Sequence, residues 1–205
     1  MKSVKILLIL VLLCVQASIY SCAEPPQKMK FTNPVIHSDV PDPDIVRVGN
    51  TYYMVSTTMH LMPGVPIMKS HDLVNWEIIS YVVDELKASP QYDLEEGNVY
   101  GNGQWATSLR YHNETFYVFF STNKPHKSYI FSTKNPAGKW DMVMEMDKLY
   151  HDASLFFDDD GRVYLAWGSA HINIIEFNSD LSSEKENGLN SLVIKGPETV
   201  PYTNL

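Results

Sequence analysis

Apolar and polar residues alternate in short runs along most of the chain, and no stretch of the body keeps a sustained helical period. The runs are rich in Val, Ile, Phe and Tyr and are broken by Gly, Asn, Asp and Pro, the pattern of strands joined by turns. Three segments share one design: Asp42-Pro-Asp-Ile-Val-Arg-Val-Gly-Asn-Thr-Tyr-Tyr53, Ala106-Thr-Ser-Leu-Arg-Tyr-His-Asn-Glu-Thr-Phe-Tyr117, and Asp152-Ala-Ser-Leu-Phe-Phe-Asp-Asp-Asp-Gly-Arg-Val-Tyr164. Each reads as strand, tight turn, strand. The turns are placed at Gly49-Asn50, His112-Asn113 and Asp160-Gly161, because these residue types tolerate the positive φ that a hairpin demands.

A second element follows the first two copies: a strand ending in Ser, then a Trp opening another strand, at Ser70 with Trp76 and at Ser132 with Trp140. The third copy, Ile174 to Leu181, has no Trp. Four strands per unit, with units starting 64 and then 46 residues apart, predict an all-β chain built of β-propeller blades. A generic antiparallel sandwich is the competing arrangement, since alternating strands and turns also build those. About three blades are present over residues 33–205. Three do not close a ring, so the expectation is the N-terminal part of a longer propeller that folds poorly alone.

The start of the chain breaks the alternation. Lys2 and Lys5 precede an unbroken apolar run of ten residues, Ile6 to Val15, which is half the length a membrane span needs. Residues 1–22 therefore read as a secretory signal peptide, and 23–32 as a polar tether. Both cysteines lie here, so the body holds no disulfide framework. Ile19-Tyr-Ser-Cys22 resembles a bacterial lipoprotein box, which makes Cys22 a candidate lipidation site and the protein an exported, lipid-anchored one of the periplasm or outer membrane. Ordinary cleavage after Ala23, giving a secreted protein, is the alternative.

With 44% apolar, 20% charged and 12% aromatic residues, the composition excludes disordered and collagen-like classes. Sixteen Lys plus Arg face 24 Asp plus Glu, a formal charge of -8, so no basic surface exists to neutralise phosphates and nucleic acid is excluded as a partner. The ligand class left open is neutral or cationic.

Among chemistry-bearing positions, the acidic residues at the blade starts are the most unusual. Asp42 sits between Pro41 and Pro43, and proline fixes its own φ and restrains the residue before it. Asp152 occupies the same position of its repeat, while the second blade has Ala106 there. Innermost strands of a propeller converge on its axis, so equivalent positions face one pocket. Carboxylates that share a pocket shift one another's pKa values, which suits acid and base work on a glycosidic bond. A turn or capping role is the plainer reading of each Asp taken singly.

Other constellations are weak. The histidines have no zinc-ligand spacing, and His60, His71 and His126 read as surface or loop residues. Gly101-Asn-Gly103 precedes a strand, so it is no phosphate cradle, and no nucleophile elbow is present. Asp158-Asp-Asp-Gly161 is too compressed for a calcium loop and reads as a turn. No cofactor or metal is expected from these residues, although the sequence is silent on a calcium on the propeller axis.

Taken jointly, Asn33-Pro-Val-Ile36, Pro41-Asp-Pro-Asp-Ile45, Val55-Ser-Thr-Thr58 with Pro63-Gly64, Ser70-His-Asp-Leu-Val-Asn-Trp76 and Asp152-Ala-Ser-Leu-Phe-Phe-Asp-Asp-Asp-Gly161 resemble glycoside hydrolase family 43. The resemblance runs from about Asn33 to Trp167. It implies a five-bladed β-propeller and inverting hydrolysis of xylose- or arabinose-containing plant glycans, by a β-xylosidase or α-L-arabinofuranosidase. It also implies roles: Asp42 as general base, and Asp152 as the third carboxylate, which raises the pKa of the general acid and orients it. Trp105 in Gln104-Trp105-Ala-Thr107 matches a Trp-Ala-Pro motif whose tryptophan looks into the sugar pocket, with Thr107 replacing the proline. Met59-His60-Leu61-Met62 stands where many members place aromatics, which makes His60 a second candidate substrate contact. The family's general acid is a Glu opening a later blade. Glu198, in Gly196-Pro-Glu198, has the wrong order for that motif, so the 205 residues are expected to be inactive by themselves. The competing functional readings are a non-catalytic carbohydrate-binding propeller and a structural surface lipoprotein.

Overall fold

A computed structural model describes residues 30–196. The signal sequence with Cys22, most of the tether, and Glu198 lie outside the described residues. The chain divides after Asn33 into two units, and every strand belongs to the unit that begins at Pro34.

Among the described residues, twelve strands form three antiparallel four-stranded sheets in chain order. The first holds β1 (Asp44–Val48), β2 (Thr51–Val55), β3 (Gly64–Ser70) and β4 (Glu77–Val83). The second holds β5 (Gln104–His112), β6 (Thr115–Thr122), β7 (Lys127–Thr133) and β8 (Asp141–Met146). The third holds β9 (Ser154–Phe157), β10 (Val163–Gly168), β11 (His171–Phe177) and β12 (Asn190–Lys195). Each sheet is a simple meander, and the first strand of each packs against the first strand of the next. This is the blade arrangement that the repeat predicts. Trp76 and Trp140 each stand immediately before the outermost strand of their blade. Among the described residues the only helical piece is a single 3₁₀ turn, Pro90–Asp93, and no helix is long and apolar enough to cross a membrane.

The period of two explains how the middle blade serves two interfaces. Successive side chains of a strand point to opposite faces. In β6, Phe116, Val118 and Phe120 join a cluster with Val55, Ile67 and Val82 of the first blade, while Phe119 joins Leu155, Leu165 and Ile175 of the third. In β7, Tyr129 and Phe131 take the first side and Ile130 the second. Strands covered on both faces read as unbroken apolar runs, as Phe116 to Phe120 does. Full burial of one such side chain contributes about 1.5–3 kcal/mol.

Two turns differ from expectation. In the second blade the left-handed pair is Asn113 (φ 47°) and Glu114 (φ 58°), one residue later than His112-Asn113, because His112 still pairs with Thr115 at the end of the ladder. In the third blade Asp160-Gly161 lies within a five-residue connection: the Asp158 N–H donates to the Arg162 carbonyl (2.9 Å), and Gly161 takes φ 83°. The first turn sits at Gly49-Asn50 as expected, with Gly49 at φ 59°.

Candidate active site

The inner strands set the level of everything at the mouth of the blades. Asp44 Oδ2 accepts the Leu109 N–H at 2.9 Å, and Ser108 Oγ accepts the Leu155 N–H at 3.2 Å. Asp44, Ser108 and Ser154 are equivalent in the repeat, so β1, β5 and β9 lie side by side in matching register. Asp42 and Asp152 each stand two residues before their inner strand begins, and both therefore lie at the same end of β1 and β9, on either side of β5.

Their backbones agree as well. Asp42 has φ 49° and Asp152 has φ 48°. Left-handed backbone costs a non-glycine residue on the order of 1 kcal/mol, least for Asn and Asp, and such residues gather at functional sites. A following proline normally pushes a residue to extended backbone. Asp42 departs from that preference, and Asp152, which precedes Ala153, has the same φ. The conformation thus belongs to the blade position and not to the proline.

Neighbouring groups hold both turns. The Pro41 carbonyl accepts from the Thr57 N–H (3.1 Å) and the Ser56 hydroxyl (2.7 Å), and Asp42 Oδ2 accepts from the Thr57 hydroxyl (3.0 Å). In the third blade the His151 carbonyl accepts from the Gly168 N–H at 2.8 Å. Tyr150, buried between Phe119 and Trp167, is fixed by the Ser121 hydroxyl on its carbonyl (2.9 Å) and by Ser128 Oγ on its N–H (3.2 Å). Its own hydroxyl donates to Glu184, and burial together with that carboxylate pushes its pKa upward. His151 Nδ1 lies 3.1 Å from Asp152 Oδ2 without a hydrogen bond between them, and the two form an ion pair only if the ring is protonated.

Trp105 meets the same group from the second blade. Its indole packs edge-on against the His151 ring, centroids 5.6 Å apart, and its Nε1 donates to the Gly101 carbonyl at 3.0 Å. Trp105 belongs to neither apolar cluster and lines an open hollow of about 630 Å³ with His126, Lys148 and His151. A half-buried indole beside polar groups can stack on a sugar ring. His60 packs instead on Tyr100, ring centroids 4.7 Å apart. Its loop is nonetheless a neighbour of Trp105, because Met59 and Gln104 exchange backbone hydrogen bonds of 3.1 and 2.7 Å.

Four residues here were not picked out by sequence reasoning: Asp44, Gln104, Arg110 and His151. Gln104, fully buried, accepts from the Thr58 N–H (2.7 Å) and the Thr58 hydroxyl (3.0 Å), and donates to the Trp105 carbonyl and to the Thr107 hydroxyl (2.6 Å). Thr107, where the resembled motif has proline, thus supplies a polar partner that proline lacks. Gly103 allows the close approach of the two loops, since a Cβ there would lie 2.1 Å from the Met59 carbonyl oxygen. The one readable trace of the Asp44 interaction was an oxygen-bearing residue at the same place in all three repeats.

Three consecutive propeller blades with two matched aspartates at one end define the class of the molecule. The chain belongs to glycosyl hydrolases family 43, whose family model matches residues 31–201. It is 35% identical over 133 residues to a β-xylosidase of Formosa agariphila (63% of this chain, 22% of that one) and 38% identical over 138 residues to a non-reducing end α-L-arabinofuranosidase of Bacteroides ovatus (65% and 25%). Among solved structures, a bifunctional GH43-CE protein of Bacteroides eggerthii superposes with a TM-score of 0.76 at 44% identity, over 80% of this chain and 21% of that one. A xylan β-1,4-xylosidase of Bacillus halodurans superposes with a TM-score of 0.68 at 30% identity, over 82% and 34%. The chain spans about a quarter of the length of the curated relatives it matches.

Proposed function

We propose that this chain carries the water-activating side of an inverting glycoside hydrolase that acts on xylose- or arabinose-containing glycans. The observation that carries this reading is the matched placement of Asp42 and Asp152, in one backbone conformation, at the same end of two inner strands that flank a third. In the proposed reaction Asp42 takes the proton of a water attacking the anomeric carbon. Asp152, beside His151, orients the acid that protonates the leaving oxygen, and Trp105 forms a wall of the sugar pocket. His60 acts from the neighbouring loop as a second substrate contact. In this reading the acid is the Glu that opens a later blade, so hydrolysis is tested in a protein that includes that blade.

The sequence pattern of residues 1–22 supports export, and Cys22 is the proposed point of lipidation; palmitate labelling lost in Cys22→Ser tests that. For the activity, the full-length protein is screened against aryl β-xylosides and α-L-arabinofuranosides while NMR follows the anomer formed first. Release of pentose with inverted configuration supports the reading. Sugar binding without hydrolysis would make the protein a carbohydrate-binding propeller.

A further inference from the structure

We propose that Arg110 is a positioning residue, which sets the spacing between the two turns that carry Asp42 and Asp152. The proposal rests on the catalytic roles proposed for those two aspartates. Arg110 projects from β5, the strand between them, and its guanidinium reaches all three inner strands. Nη1 donates to Asp44 Oδ2 at 2.7 Å, Nη2 to Ser154 Oγ at 2.6 Å, and Nε to the Leu155 carbonyl at 2.7 Å; Nη1 also meets the Leu109 carbonyl at 2.6 Å. Asp44 and Ser154 each lie two residues beyond the aspartate of their blade.

The chemistry of the group matters. A guanidinium is planar and always charged, with its N–H donors in a fixed fork, so partners on two of its nitrogens have a fixed separation. An ammonium is a point charge with rotatable donors on a flexible stem and does not fix the separation of its partners. Side chains of Arg110 and Asp44 are 31% and 30% exposed, so their ion pair is only partly screened by water. The blades are already packed through the two apolar clusters on either side of the second sheet. What Arg110 adds is a rigid link at the inner strands, where a shift at Asp44 or Ser154 passes directly into the turn two residues upstream.

The test uses the full-length protein and steady-state hydrolysis of an aryl pentoside, at a temperature where circular dichroism shows every variant folded. Arg110→Met is expected to lower kcat about 10- to 100-fold, the effect of misplacing reacting groups by about an ångström, with KM changed less than about threefold. Arg110→Lys is expected to recover part of the loss. Ser154→Ala, which removes one arm of the fork, is expected to lower kcat less, and to add little on top of Arg110→Lys. If Arg110→Met fails to fold, Arg110→Lys and Ser154→Ala decide the matter by the same kcat criterion. A kcat within about threefold of wild type in folded Arg110→Met, or in both Arg110→Lys and Ser154→Ala where Arg110→Met fails to fold, or a rise in KM alone, overturns the positioning role while Asp42→Asn and Asp152→Asn still abolish hydrolysis. Hydrolysis retained in those two aspartate variants, or absent from the wild type, instead removes the reading of the site and the proposal with it.

Discussion

Asp42 and Asp152, 110 positions apart in the chain, share one left-handed backbone conformation, φ 49° and 48°, at equivalent places in the first and third blades. Ala106, the equivalent residue of the blade between them, lies inside β5, where the ladder with β6 shifts register between Gln104 and Thr107. The middle blade thus has no third acid at this position, and Trp105, one residue earlier, packs against His151 of the third blade. In the proposed site its contribution is an aromatic wall.

Trp105→Ala is therefore expected to weaken binding of xylo- or arabino-oligosaccharides at least about tenfold in the full-length protein, measured by calorimetry, while the unfolding midpoint stays within about 2 °C, because the indole belongs to neither apolar cluster. A large fall in midpoint with binding intact would make Trp105 a packing residue.

Gln104→Leu keeps the volume and removes four hydrogen bonds, two that join Thr58 of the loop 56–63 to the start of β5 and two within β5 itself, to the Trp105 carbonyl and the Thr107 hydroxyl. Each buried group left without a partner costs about 1–3 kcal/mol. Expected are a loss of stability of that order in urea unfolding and faster protease cleavage within the loop 56–63. Unchanged cleavage would show that the backbone pairing of Met59 with Gln104 suffices.

Phe120→Ala is expected to cost about 3–5 kcal/mol, since its ring is fully buried and stacks on Tyr129 and Phe131 at 5.1 and 5.9 Å. A loss below about 1 kcal/mol would mean that the interface between the first two blades is far looser than its packing indicates.

Glu176 accepts from Lys185 Nζ (2.6 Å) and from the Leu189 N–H (3.1 Å), and the Lys185 hydrogen bond is the larger cause that holds its carboxyl below the ordinary carboxylate range. A depressed folded value stabilises the protein fully above the unfolded pKa, about 4.3, and the gain disappears as pH falls through the folded value. Glu176→Gln is thus expected to melt below wild type at neutral pH, with the gap closing in acid. A gap independent of pH would show that this carboxylate carries no linked stability.

The alternation of apolar and polar residues made the twelve strands and three blades readable, because the period of two and the turn chemistry are local properties. The turn of the second blade escaped by one residue, since His112 and Asn113 both tolerate the end of a ladder and only pairing with Thr115 decides between them. Asp42 and Asp152 were legible through the repeat. Arg110 and Gln104 were not, because their partners stand 44 to 66 positions away along the chain and nothing local marks a side chain that bridges blades. His60 was placed by its loop, yet its ring turns to Tyr100, a neighbour supplied by a connection with no regular pattern.

The central claim, that the two aspartates form one hydrolytic site, is tested most directly by kcat/KM on an aryl pentoside for full-length wild type, Asp42→Asn and Asp152→Asn. Loss of at least about 100-fold in each single variant, with the double variant much less impaired than the product of the two, is the predicted result. A loss below about tenfold in either variant would contradict it.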